Sequence, residues 1–110
     1  MARFVKGDVV IVPFPFSNLT QAKRRPVVVV ANLSGNDLIL CQITSQTVSD
    51  QYAITIENRD FSSGGLNQIS NVRPNRLFTA DCQIILYKAG QLKPEKLEEV
   101  IARIIEILQQ

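Results

Sequence analysis

Two places in this 110-residue chain combine side chains that could act on a phosphate. The first is NLTQAKRRPVVVV, residues 18–30, where Lys23, Arg24 and Arg25 run into a proline and four valines. The planar fork of arginine can hold a phosphate through two N–H donors at once. Pro26 biases Arg25 away from the α region and toward extended backbone. Arg25 is therefore fixed by the strand that follows, while Lys23 and Arg24 stand further out in the loop. The second place is ITSQT, residues 43–47, which sets hydroxyls at Thr44 and Ser45 and an amide at Gln46 just after an apolar run. A bland role is open at each. Arg25 could close the end of the sheet by pairing with Asp60 or Asp81. Thr44, Ser45 and Gln46 could simply satisfy backbone groups of a turn, and the basic run could be a solubilising loop.

The elements that must position these residues are legible as short strands. GDVVIVPFPF opens with a turn pair and becomes a strand at Val9 to Val12, with Pro13 and Pro15 ending it or placing it at an edge. Residues 17–25 form a polar loop, and a connection of that length in a small domain is more often functional or mobile. PVVVVAN has the unbroken apolarity of a central strand. LSGND is a turn and LILCQIT a third strand. If these two strands pair as a hairpin, residues 26–31 lie against 38–43, and Arg25 meets Thr44 at one end of the sheet. YAITIEN alternates, with Tyr52, Ile54 and Ile56 on one face. ISNVRPNRLFTAD carries one or two short segments and CQIILYKAG a last strand. FSSGGLNQIS lacks the lysine and spacing of a phosphate-cradling P-loop, so it reads as a tight turn and secondarily as a cleft wall. Phe14, Phe16 and Tyr52 are candidates for stacking bases, or for the core.

The C-terminus changes period. From Pro94, apolar residues fall at Leu97, Val100, Ile101, Ile104, Ile105 and Leu108, which is one stripe of an α-helix. Pro94 suits the first turn, and Glu95, Glu98 and Glu99 suit the positive end of the helix dipole. Ile107 falls off the stripe and is available to a partner or to solvent. Short strands followed by one helix predict a mainly β fold: a small antiparallel barrel or sandwich carrying a helix, in a single domain over 1–110.

Composition narrows the chemistry. There is no histidine, so histidine acid–base catalysis is excluded and a zinc site is not expected. Cys41 and Cys82 have no close spacing and read as buried small hydrophobes rather than a disulfide or metal pair. No apolar run is long enough to span a bilayer, and a cytoplasmic location is expected. The net charge is only +2, but residues 1–30 hold five bases against one acid. The basic surface thus centres on Lys23-Arg24-Arg25.

Taken in order, GDVVIVPFPF, RRPVVVV, CQITSQ, GGLNQISNVRP and QLKPEKLEEVIARII resemble the MazF/PemK family of toxins from toxin–antitoxin pairs, over nearly the whole chain. The resemblance implies a small SH3-like antiparallel β-barrel with a C-terminal helix, acting as a homodimer. It implies sequence-selective cleavage of single-stranded RNA without metal or other cofactor. A small cognate antitoxin would occupy the RNA groove, and the toxin–antitoxin complex would bind DNA. Residue by residue, it implies catalytic roles for Arg25 and Thr44, with Gln46 nearby. Lys23, Arg24, Ser45, Phe16 and Asn18 complete the expected RNA-binding set. RNA carries its own nucleophile in the 2′-OH, so no protein nucleophile is needed. One departure stands out: many members carry a Gly-x-Glu element in the loop before the arginine, and SNLTQAKR has no acid. Two other functions fit such a barrel: a gyrase-poisoning toxin resembling the CcdB branch, and a binding module without catalysis. The chain end IEILQQ lacks the aromatic character that the CcdB branch implies.

Overall fold

The computed structural model describes residues 4–14 and 23–110. Within them, seven antiparallel strands form one sheet: β1 (Asp8–Phe14), β2 (Lys23–Asn32), β3 (Asp37–Thr44), β4 (Ile54–Ile56), β5 (Phe61–Gly64), β6 (Ser70–Asp81) and β7 (Tyr87–Leu92). Their order across the sheet is β4-β6-β3-β2-β1-β7-β5. The helix α1 (Pro94–Gln109) closes the chain. Ile54 and Ile56 of one edge strand and Phe61 of the other belong to the same apolar cluster. The sheet is therefore curled into a half-barrel around a shared interior, as the mainly β reading expected.

β2 lies at the centre of that sheet, and its valines divide between two cores. Val28 and Val30 join Val9, Cys41, Val72 and Val100 in the barrel interior. Val27 and Val29 join Val10, Val12, Leu38 and Leu40 on the other face. Successive strand residues point to opposite faces, so an unbroken valine run requires apolar cover on both. The hairpin with β3 forms in nearly the expected register, pairing Val27 with Gln42 and Val28 with Cys41. Its turn uses Gly35 at φ +79°, a conformation that L side chains rarely adopt.

Several expectations change. Lys23, Arg24 and Arg25 are already strand, paired with Phe14, Pro13 and Val12 of β1, so the polar loop ends sooner than residue 25. The pairing of β1 with β7 stops at Ile11. Among the described residues, Pro13 therefore sits where β1 has β2 as its only strand neighbour, which is the edge setting that a missing N–H demands. ISNVRPNRLFTAD yields a single strand rather than short segments. β6 is twelve residues long, and it passes Pro74 by an irregularity: Cys41 faces Leu77, but Ile43 faces Val72. The residues between form a bulge against β3, the setting in which a strand tolerates proline.

The helix divides its apolar stripe. Val100 and Ile104 are buried against the barrel, and Leu97 and Ile107 are half-buried beside them. Ile105 and Leu108 are the exposed pair, at 48% and 73%. Ile107 thus belongs to the packed face, and the uncovered positions lie within the expected stripe. Cys41 is buried and Cys82 half-buried, both as free thiols.

Asp8 is almost fully buried. One of its carboxylate oxygens accepts from the Val5 N–H at 3.0 Å, the other from the Gln91 side chain at 3.1 Å and from Lys88 Nζ at 3.1 Å. These bonds tie the chain entering β1 to β7. Asp8→Ala strands those donors, and its expected cost is about 2–4 kcal/mol in urea unfolding; a change below about 0.5 kcal/mol, ordinary for a surface position, would show that the tie is unimportant.

Burial also pushes the Cys41 thiol up from 9.0 to about 12. Between those values the folded state keeps a proton that the unfolded chain has lost. Stability therefore falls as pH rises through this window, by about 1.4 kcal/mol per pH unit from this group. Cys41→Ala should flatten that part of the alkaline decline, measured as denaturation midpoints from about pH 8.5 to 10.5. Parallel wild-type and variant curves would refute the assignment.

Candidate active site

The end of the β2–β3 hairpin opens on a cleft of about 340 Å³, lined by Arg25, Pro26, Val27, Gln42, Ile43, Thr44, Gln46 and Arg73. Pairing of β2 with β3 begins at Val27 opposite Gln42. Continued outward, the same register sets Arg25 beside Thr44. The floor is apolar and rigid because Val27 and Ile43 are core residues. The polar groups sit on its rim, where backbone pairing holds Arg25 and Thr44.

Arg25 is half-buried. Among the described residues it makes no ion pair. The two acids that could have claimed it are engaged elsewhere. Asp60 accepts from the Glu57 N–H at 2.8 Å and lies 3.8 Å from Lys96. Asp81 accepts from the Gln83 N–H at 2.8 Å. A guanidinium with no carboxylate partner among the described residues, mounted on a strand that enters the core, can take an anion in its place.

Thr44 fills part of its bland role. Its Oγ1 accepts from the Gln46 N–H at 3.1 Å. This bond fixes the oxygen through a lone pair and leaves the hydroxyl hydrogen for another acceptor. Thr44 can therefore brace the turn and donate into the cleft.

The other candidate residues separate. Gln46 lines the cleft. Lys23, Arg24 and Ser45 are exposed and lie outside its lining. Phe16 and Asn18 lie outside the described residues. Tyr52 is half-buried at the end of α1, where its hydroxyl accepts from Gln110 at 3.2 Å, so it is not placed to stack a base in this cleft. The Gly-rich loop is not a wall here either. Gly64 has φ +63°, and a Cβ on it would collide with the Ala89 carbonyl. Leu66, Asn67, Gln68 and Ile69 line a separate depression with Glu57, Asn58 and Arg59.

Arg73 is the lining residue that the sequence reading missed. A signal was present: the chain contains Arg-Pro twice, at 25–26 and 73–74, and each proline pushes its arginine toward extended backbone. The bulge of β6 brings the second copy to the cleft. There Arg73 Nη2 donates to Asp50 Oδ2 at 2.9 Å. The other Asp50 oxygen accepts from the N–H groups of Tyr52 and Ala53, at 2.9 and 3.1 Å. These bonds, led by the one from Arg73, hold the Asp50 carboxyl below its ordinary range. From the other side, Arg103 of α1 donates to the carbonyls of Gln51 and Tyr52, each at 3.1 Å. The segment after Thr44 is thus tied to both β6 and the helix. Among the described residues, no cluster of three or more His, Cys, Asp or Glu side chains could hold a metal ion.

Comparison with solved structures shows the same fold at low identity. A mycobacterial endoribonuclease in complex with its cognate antitoxin aligns with a TM-score of 0.75 at 12% identity, covering 99% of this chain and 96% of that one. MazF from Deinococcus radiodurans aligns at 0.74 with 18% identity, covering 96% of each chain. The Mycobacterium tuberculosis toxin MazF-mt6 aligns at 0.65 with 20% identity, covering 89% of this chain and 91% of that one. No curated protein sequence gives a significant match. Residues 5–108 match the family described as "PemK-like, MazF-like toxin of type II toxin-antitoxin system". With nearly the whole chain inside that match and the half-barrel and helix in place, this protein belongs to the MazF/PemK toxins, an endoribonuclease family of type II toxin–antitoxin systems.

Proposed function

We propose that this chain cleaves single-stranded RNA at the Arg25–Thr44 cleft, without a metal ion. The observation that carries the reading is an arginine without a carboxylate partner sharing one cleft with a threonine hydroxyl. The 2′-oxygen of one nucleotide attacks the adjacent phosphorus, and the bond from phosphorus to the 5′-oxygen breaks. The products are a 2′,3′-cyclic phosphate and a 5′-OH, with the 2′-OH proton lost and one proton delivered to the leaving oxygen. Arg25 binds the non-bridging oxygens as negative charge develops, and Thr44 donates to the same group. Arg25 is not the general base, because a guanidinium does not give up its proton in a protein. Single strands are the fitting substrate, since their bases are unstacked and their edges open. Lys23 and Arg24, on the exposed start of β2, attract the backbone through long-range charge.

The family implies the rest of the setting: a cytoplasmic toxin, held in check by a small antitoxin seated over the cleft. A homodimer is part of this reading, and Ile105 and Leu108 of α1 are apolar positions left for such a contact.

The test is cleavage of a long unstructured RNA in EDTA, with the new ends mapped. The expected result is discrete cuts bearing 2′,3′-cyclic phosphates. Arg25→Ala should lower the rate by about 10²–10³-fold, and Thr44→Val by a similar factor or less. Intact RNA across varied sequences would overturn the nuclease reading. Cleavage undiminished in Arg25→Ala would overturn the site.

A further inference from the structure

We infer that Arg73 is a second substrate-binding residue of the cleft and that Asp50 is the residue that aims it. For the identity of the substrate, a single-stranded RNA phosphodiester, this rests on the reading above. Arg73 lines the Arg25–Thr44 cleft and also a neighbouring one formed with Thr44, Gln46, Thr47, Val48, Ser49 and Asp50. With Thr44 and Gln46 it is common to both, so a strand that occupied the two clefts would meet it.

Its surroundings are unusual for a structural ion pair. The side chains of Arg73 and Asp50 are 23% and 25% exposed. The pair is therefore largely shielded but not sealed from water. Yet Arg73 Nε is shut away from solvent with no hydrogen-bond partner among the described residues, a cost that folding alone gives no reason to carry. Asp50 meanwhile is fixed by two backbone N–H groups, so it is an anchored acceptor rather than a loose surface acid. The bulge at Pro74 sets the backbone, and Asp50 sets the guanidinium. What remains is a planar donor group held at one corner: Nε is enclosed, so the Nη edge is the part left to meet a phosphate oxygen.

Asp50 also neutralises most of the Arg73 charge. The pair therefore offers directed donors rather than net field, and this separates binding from rate. Arg73→Gln removes the guanidinium donors and leaves the Asp50 carboxylate unpaired in the neighbouring cleft, so KM should rise roughly tenfold with a smaller fall in kcat. Asp50→Asn keeps an oxygen for Tyr52 and Ala53 but turns the other position into a donor, which releases Arg73. KM should then stay within about twofold or fall, while kcat drops roughly tenfold. The double variant removes the repulsion but not the loss of the Arg73 donors, so KM should recover only in part; full recovery would show that Arg73 merely masks Asp50 and would overturn the inference. Arg73→Lys keeps the charge without the fork, should fall between wild type and Arg73→Gln in KM, and serves if the glutamine variant does not fold.

Thermal melts of each variant complete the test. Steady-state parameters within twofold of wild type in Arg73→Gln would overturn the inference. So would losses that only follow the folded fraction with KM unchanged. The same ordering is read in the Kd for a 2′-deoxy single strand, which cannot be cleaved by 2′-OH attack. If wild type leaves RNA intact but Arg73→Gln weakens that binding tenfold and Asp50→Asn does not, the nuclease reading falls and the Arg73 inference stands. If RNA is intact and both variants bind like wild type, both fall.

Discussion

Val27 to Val30 alternate into two separate apolar clusters. β2 therefore cannot turn about its axis or slip by one residue without moving valines from one core into the other and breaking the packing of both. This constraint reaches the cleft directly. Arg25 lies two residues before Val27, on the same strand and already paired with β1. Long charged side chains are normally free to wander in water, and fixing one costs side-chain entropy. Here strand pairing, which forms for the sake of the core, fixes the backbone, so only the side chain's own freedom remains to be lost.

The opposite rim is built by other means. Thr44 ends β3, and the chain beyond it has no strand to hold it until Ile54. Its order comes from polar ties. Thr44 receives the Gln46 N–H, Asp50 gathers two backbone N–H groups and Arg73, and Arg103 reaches from α1 to two carbonyls. One rim thus rests on apolar packing and the other on hydrogen bonds and charge. The second kind of support weakens with its partners' protonation or substitution, whereas the first does not. Arg73 belongs to both, since its strand is packed and its side chain is tied. Cys41 joins the two systems, with its sulfur in the core and its S–H donated to the Arg73 carbonyl at 3.0 Å.

Local patterns in the chain determined a good deal. The valine run demanded a strand covered on both faces. The spacing from Leu97 to Leu108 demanded a helix, and Pro94 marked its start. LSGN required a turn, which Gly35 makes. From those pieces alone the hairpin register followed closely enough to bring Arg25 to Thr44. Asp60 and Asp81 accept from N–H groups three and two residues away, so their claims are local; of their partners, only the approach of Lys96 to Asp60 depends on distant chain.

Tertiary structure decided the rest. No periodicity announces that β6 continues through Pro74, since the bulge that accommodates proline is defined against β3. For the same reason Arg73 could be seen as an Arg-Pro dipeptide but not as a neighbour of Arg25, forty-eight positions away. The apolar stripe of α1 told which residues share a face, not which of them the barrel covers; packing on the sheet buries Val100 and Ile104 and leaves Ile105 and Leu108 exposed. Sequence fixes what depends on neighbours along the chain. Contacts between distant segments are set by how whole faces fit together, and the second half of this cleft is made of such contacts.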